Sequence, residues 1–221
     1  MNRLARRDGA GRSGTERDGA GREVPSPAVL TLAELEREVS TCTKCRLAEG
    51  RTQVVFARGD PEAGLVFIGE GPGAEEDRLG LPFVGRSGQL LDRLIVEELG
   101  LDPAQVQVTN VVRCRPPGNR DPKDDEIEAC QPYLERQLEV VKPAVIVTLG
   151  NFAARFMLHT SVGVTKLRGR QYDVGAAVLV PTFHPSYILR NGGGDQLVQM
   201  RADFVRAKQA LVTAGRYPGS P

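Results

Sequence analysis

Charge of one sign is missing from this 221-residue chain: 29 Lys and Arg face 28 Asp and Glu, a formal net charge of +1. No global field therefore argues for nucleic acid, although a balanced total still permits a basic face. Long apolar runs are missing too. No stretch reaches the roughly 18 residues of a transmembrane helix, and the N-terminus lacks the apolar segment of a secretory signal. A cytosolic location without membrane contact is the expectation. In that compartment the four cysteines read as metal or cluster ligands rather than disulfides. Histidine is scarce, at two residues. No Walker lysine follows the glycine-rich turn at 69–73, which argues against a zinc-stapled nucleotide hydrolase using that turn for phosphates.

What is present suffices for one domain. Hydrophobic residues make up 40 % of the chain, and the length supports a sizeable core but not two full ones. Residues 1–28 are rich in Gly, Arg, Ser and acidic residues, and Arg-Asp-Gly-Ala-Gly-Arg occurs at 7–12 and again at 17–22. A segment of this composition cannot support a core and is expected to be a disordered tail. The domain is expected over 29–215, with a short tail at 216–221.

Thr31 and Glu34 have the spacing of a capping box, and Leu32, Leu35 and Val39 continue with helical periodicity. Strands are expected at 54–56, 65–68, 106–112, 144–149 and 178–181, and helices at 89–99, 124–140, 151–158 and 195–214. The segment 114–122 holds too much Pro and Gly for regular structure. Alternation of strand and helix predicts an α/β fold, a parallel sheet covered on both faces. The loops at 69–73, 110–121 and 182–190 each follow a strand, so a parallel sheet brings them to one edge, where such sheets bind ligands.

Gly69-Glu-Gly-Pro-Gly73 puts a carboxylate and bare backbone at the end of the first central strand. It is not a dinucleotide fingerprint, because Ala74 stands where that pattern needs its last glycine. Cys42 and Cys45 form a Cys-x2-Cys pair, with Cys114 and Cys130 far downstream. Two intervening residues let a turn aim both thiolates at one centre, and no cysteine is left over. Four thiolates suit zinc or a 4Fe–4S cluster, and spacing alone does not choose.

Gly69-Glu-Gly-Pro-Gly73, Gly80-Leu-Pro-Phe-Val-Gly85, Thr109-Asn-Val-Val-Arg-Cys114 and His184-Pro-Ser-Tyr-Ile-Leu-Arg190, in this order, resemble the type-4 uracil-DNA glycosylases. The resemblance runs from about Leu32 to Ala214. It implies a three-layer α/β/α sandwich on a central, mainly parallel four-stranded sheet. It also implies a monomeric enzyme acting on uracil-containing DNA, with Cys42, Cys45, Cys114 and Cys130 carrying a 4Fe–4S cluster in preference to zinc. By the same resemblance, Phe83 stacks on the flipped uracil from an exposed loop. Asn110 hydrogen-bonds its edge, Gly69 and Gly71 line it, His184 donates toward uracil O2, and Glu70 lies beside base and sugar. Pro72, Gly73 and Ser186 fit phosphate contacts, and Tyr187 through Arg190 fit a wedge in the duplex.

These residue types suit the chemistry. A base inside a duplex must be extruded, with stacking and edge contacts replacing those lost. Cleavage leaves cationic character on the sugar and negative charge on the departing pyrimidine, so donors fixed at that anion lower the barrier. One departure stands out: the best-known uracil glycosylases carry a water-orienting Asp where this chain has Gly71. Glu70, Glu76 or a backbone carbonyl remain for that task. A related branch that traps uracil covalently has a His-bearing insert after the asparagine; residues 111–130 contain no His, so turnover is expected. The competing readings are a non-catalytic iron–sulfur DNA-binding protein and a glycosylase for other deaminated bases.

Overall fold

The computed structural model describes residues 31–219; the tail expected at 1–28 lies outside the described residues. Thr31 caps α1 (Leu32–Ser40): its hydroxyl accepts the Glu34 N–H at 3.2 Å, and the Glu34 carboxylate accepts the Thr31 N–H at 2.9 Å. That is the reciprocal box the spacing announced. A single turn, α2 (Leu47–Gly50), follows the first cysteine pair. Then come β1 (Arg58–Gly59), β2 (Leu65–Gly69), α3 (Ala74–Leu79) and α4 (Arg86–Leu94). The chain continues through β3 (Gln107–Asn110), α5 (Asp124–Val141), β4 (Val145–Leu149), α6 (Asn151–Met157) and α7 (Val164–Leu167). It ends with β5 (Tyr172–Val174), β6 (Ala177–Thr182), α8 (Pro185–Arg190) and α9 (Gly194–Thr213).

The sheet has six strands in the order β1-β3-β2-β4-β6-β5, not four. The four central strands are parallel, as expected, and β1 and β5 add short antiparallel edges. Both edges are too short to carry a periodicity signal. The apolar segment 54–56 is not a strand. Val55 N–H bonds to the Arg113 carbonyl at 2.8 Å, while the Phe56 carbonyl accepts from the side chains of Thr109 and Arg113. Side chains have taken the place of a ladder, and β1 begins two residues later.

Alternation along β2 explains the layers. Leu65 and Phe67 bury on one face against Leu91 and Ile95 of the α4 segment and Phe204 of α9. Val66 and Ile68 bury on the other, against Leu134 of α5 and Ala153 of α6. Each such side chain contributes about 1.5–3 kcal/mol by leaving water. The helix expected at 89–99 starts earlier, at Arg86, and its last turn widens into a π-helical turn over Ile95–Leu99, closed by Gly100 at φ 70°. Glycine suits that left-handed stop. At the far end of the chain Tyr217 donates its hydroxyl to the Leu99 carbonyl at 2.7 Å.

Parallel pairing fixes the strand ends together. Gly69 lies opposite Asn110 and Leu149 opposite Thr182, so β2, β3, β4 and β6 all end at one edge. The three loops singled out in the sequence leave from that edge.

Candidate active site and cysteine centre

One wide cleft opens along this edge, and Glu70, Phe83, Asn110, Asp121 and His184 line it. Asn110 closes β3 and is 1 % exposed; its Oδ1 has no hydrogen-bond partner. A buried acceptor left empty is costly unless a ligand fills it. Gly69, directly opposite, leaves the room. A Cβ there would stand 2.4 Å from Asn110 Oδ1 and 2.7 Å from the Phe83 ring.

Phe83 departs from expectation. Its backbone turns into the left-handed region at φ 55°, and the residue is buried, not on an exposed loop. Two contacts hold it there. The Glu76 carboxylate accepts both the Val84 and the Gly85 N–H at 3.0 Å, and Gly88 brings α4 against the Phe83 carbonyl, where no Cβ would fit. Glu76, one of the groups left open for orienting water, thus has Oε1 engaged in fixing this turn. Gly88 went unrecognised in the sequence, since nothing local marks a helix glycine as a packing site.

His184 departs differently. It is not within an irregular loop but caps α8, with Pro185 at the first helical position. Its Nδ1 accepts the Ser186 N–H at 3.1 Å and lies 2.8 Å from Ser186 Oγ. That is the cap role usually taken by Ser, Thr, Asp or Asn. With Nδ1 accepting, the ring proton of the neutral imidazole belongs on Nε2. Burial and the Arg190 charge push the imidazole down to about 4, so it is neutral at ordinary pH. Its backside rests on Gly150, where a Cβ would come within 2.9 Å of the His184 Cβ. The His184 ring lies 5.7 Å from that of Phe83.

Glu70 sits in the cleft at half burial. Desolvation first, then the Asp121 carboxylate beside it, push Glu70 up to about 7. Asp121 was not among the residues expected from sequence; it is an acidic residue in an irregular loop, with no local signal. Gly71, Pro72 and Gly73 form the cleft's rim beside Glu70. Ser186 turns its Oγ to His184 and accepts Arg190 Nη1 at 3.1 Å. Tyr187, 37 % exposed, packs its ring against Phe183 at 5.3 Å between centroids, and Leu189 of α8 is also exposed.

The four cysteines gather as a group away from the cleft. Cys42, Cys45, Cys114 and Cys130 line one recess walled by Val39, Leu47 and Ala129. Among the described residues, no three His, Cys, Asp or Glu side chains converge closely enough for a single metal ion. Four thiol donors around one apolar recess suit a group held by thiolates. Burial pushes the Cys114 thiol up to about 11, against the pull of Arg51, whose Nη1 lies 3.4 Å from the sulfur.

A doubly covered parallel sheet whose strand ends gather an aromatic ring, a buried amide and a neutral imidazole defines the class. The chain belongs to the uracil DNA glycosylase superfamily, which matches residues 56–211. Within it the chain groups with the type-4 uracil-DNA glycosylases. It is 40 % identical over 195 residues to that of Sulfurisphaera tokodaii, covering 85 % of this chain and 88 % of that protein. Identity is 43 % to that of Thermotoga maritima, covering 83 % and 97 %, and 44 % to that of Saccharolobus solfataricus, covering 79 % and 83 %.

Proposed function

We propose that this protein is a monofunctional DNA glycosylase that hydrolyses the N-glycosidic bond of uracil in DNA and so initiates base excision repair. The observation that carries the reading is buried Asn110, its Oδ1 without a partner, lining the same cleft as Phe83 and His184. Uracil extruded from the duplex stacks on Phe83, as flipped bases do on aromatic rings. Its N3–H meets the Asn110 acceptor, and the Asn110 amide donates to O4. Gly69 and Gly71 admit the ring without side-chain obstruction.

As the bond breaks, negative charge grows on uracil O2. A neutral imidazole with its proton on Nε2 donates there without placing a full cation in the site, the logic by which other enzymes use a neutral histidine as electrophile. Glu70, ionised above about pH 7, opposes the positive charge developing on the sugar. With Gly71 in place of an aspartate and Glu76 engaged by the Phe83 turn, Glu70 is also the side chain left to orient water. Pro72, Gly73 and Ser186 take the phosphates beside the lesion, and Tyr187 through Arg190 enter the space left by the base.

Cys42, Cys45, Cys114 and Cys130 would hold a 4Fe–4S cluster. No electrons move in the hydrolysis, so the group's contribution is to staple α1, the 114 loop and α5. Among the described residues no helix is long and apolar enough to cross a membrane. The protein acts on DNA in the cytosol as a monomer.

Base release from a strand carrying one uracil opposite guanine, in EDTA, followed by alkali, tests the reading. Cleavage only after alkali and only at uracil is expected. Intact DNA with a folded, iron-loaded protein would favour a binding-only role.

A further inference from the structure

Arg113 is the largest side chain buried to within 2 % exposure, and the proposed chemistry does not use it. Its guanidinium meets only neutral acceptors. Nη1 donates to the Asn110 carbonyl at 2.8 Å, the Phe56 carbonyl at 3.2 Å and the Thr109 hydroxyl, and Nη2 donates to Gln137 Oε1. Gln137 is fixed in turn by donating to Gln107 at 2.8 Å. Arg113 Nε has no partner. None of the ion pairs among the described residues includes Arg113.

An isolated buried cation costs several kcal/mol, and neutral dipoles offset only part of that. Two buried carboxylates elsewhere in the fold, Glu126 and Asp203, are each matched by an arginine. Arg113 has no such partner among the described residues, but it lines the recess that holds Cys42, Cys45, Cys114 and Cys130 and directly precedes Cys114 in the chain. One residue therefore borders the cysteine recess and, through its side chain, holds the end of β3.

We infer that Arg113 is a positioning residue that couples the cysteine centre to uracil recognition: the net negative charge of a four-thiolate iron–sulfur group balances its guanidinium, and the guanidinium holds the carbonyl of Asn110. The inference rests on the cluster reading given above. It assigns the cluster a role beyond stapling. Filling the cysteine site neutralises a buried charge next to the strand end that presents Asn110, and emptying it strands that charge and loosens the strand end. Thr109 and Asn110 are adjacent in β3, so the amide that reads the base and the hydroxyl that meets Arg113 move together.

Full-length, iron-loaded Arg113→Met and Arg113→Lys test this. Iron and sulfide per chain are assayed first, and their absence from the wild-type chain would remove the cluster reading on which the inference rests. With the cluster in place, loss of a neighbouring cation makes its reduction harder, because net charge and hydrogen bonding set such potentials. Arg113→Met is therefore expected to lower the reduction potential of the DNA-free protein, with Arg113→Lys returning it toward wild type. The KM for uracil DNA is expected to rise about tenfold in Arg113→Met, with a smaller change in kcat, equivalent to about 1.4 kcal/mol. An iron-loaded Arg113→Met with wild-type potential and KM overturns the inference. Should Arg113→Met fail to fold, amide exchange in the wild-type chain decides. Chelating the iron is expected to speed exchange at Thr109–Val112, and protection there that survives chelation overturns it.

Discussion

The ring of Phe83 lies 5.7 Å from the imidazole of His184, tilted by 33°, although one sits in the turn before α4 and the other caps α8. Glu76 of α3 fixes the turn that carries Phe83, while Ser186 of α8 bonds the His184 ring and Gly150 after β4 backs it. The separation of the two rings is therefore set by residues of three different elements.

His184→Ala removes the donor and the side-chain cap of α8 together, leaving the Ser186 N–H to water. Single-turnover excision is expected to fall on the order of 100- to 1,000-fold, as for loss of one preorganised donor. Stability should fall by only about 0.5–2 kcal/mol, the usual cost of losing a side-chain cap, with the fold intact. Wild-type rates in this variant would exclude His184 from the reaction.

Excision should rise with pH through about 7, where Glu70 ionises in the folded protein. The imidazole, pushed down to about 4, should add no limb in that range. Glu70 also links pH to stability. Its folded value lies above its ordinary 4.5, so its contribution is fully present below pH 4.5 and is lost as pH rises through about 7. Glu70→Gln should therefore flatten both the rate profile and the stability profile between these values. A rate profile in Glu70→Gln that still climbs through pH 7 would assign the titration to another group.

Gly69→Ala puts a methyl group where Asn110 Oδ1 and the Phe83 ring already stand, 2.4 and 2.7 Å away. Overpacking of this kind costs about 1–3 kcal/mol. The same methyl blocks the base, so the KM for uracil DNA should rise more than the loss of stability explains. Calorimetry beside steady-state kinetics separates the two effects.

Glu76→Ala should free the turn that carries Phe83, because one carboxylate oxygen accepts two amides. Hydrogen bonds to a charged group are worth about 1.5–3 kcal/mol each. Glu76→Gln retains an acceptor oxygen and should recover much of the activity. If Glu76→Gln is instead as inactive as Glu76→Ala, the carboxylate acts in the chemistry and not through the turn.

Cys42→Ala should lose iron and stability together, because the cysteine recess joins the end of α1, the 114 loop and α5. Iron per chain and the thermal midpoint would be followed in the same samples. A stable variant that keeps full iron would show that Cys42 is not a ligand.

The sequence by itself determined the local pieces. The Thr31–Glu34 box, the apolar run of β2, the helical stripe ending at Gly100 and the Cys42–Cys45 pair are written in neighbouring residues, where periods of 2 and 3.6 and turn chemistry operate. It also carried the family's four motifs, and strand–helix alternation was enough to bring their loops to one edge. Tertiary structure decided everything that depends on distant partners. The edge strands β1 and β5 exist because a sheet was there to join. Phe83 is buried because Glu76 and Gly88 hold its turn against the core. The proton on His184 and the acidity of Glu70 were fixed by Ser186, Asp121 and the loss of water. Arg113, an ordinary basic letter beside a cysteine, became a buried cation through the packing around it. Desolvation and close-range charge act through space, and no spacing along the chain encodes which groups will meet.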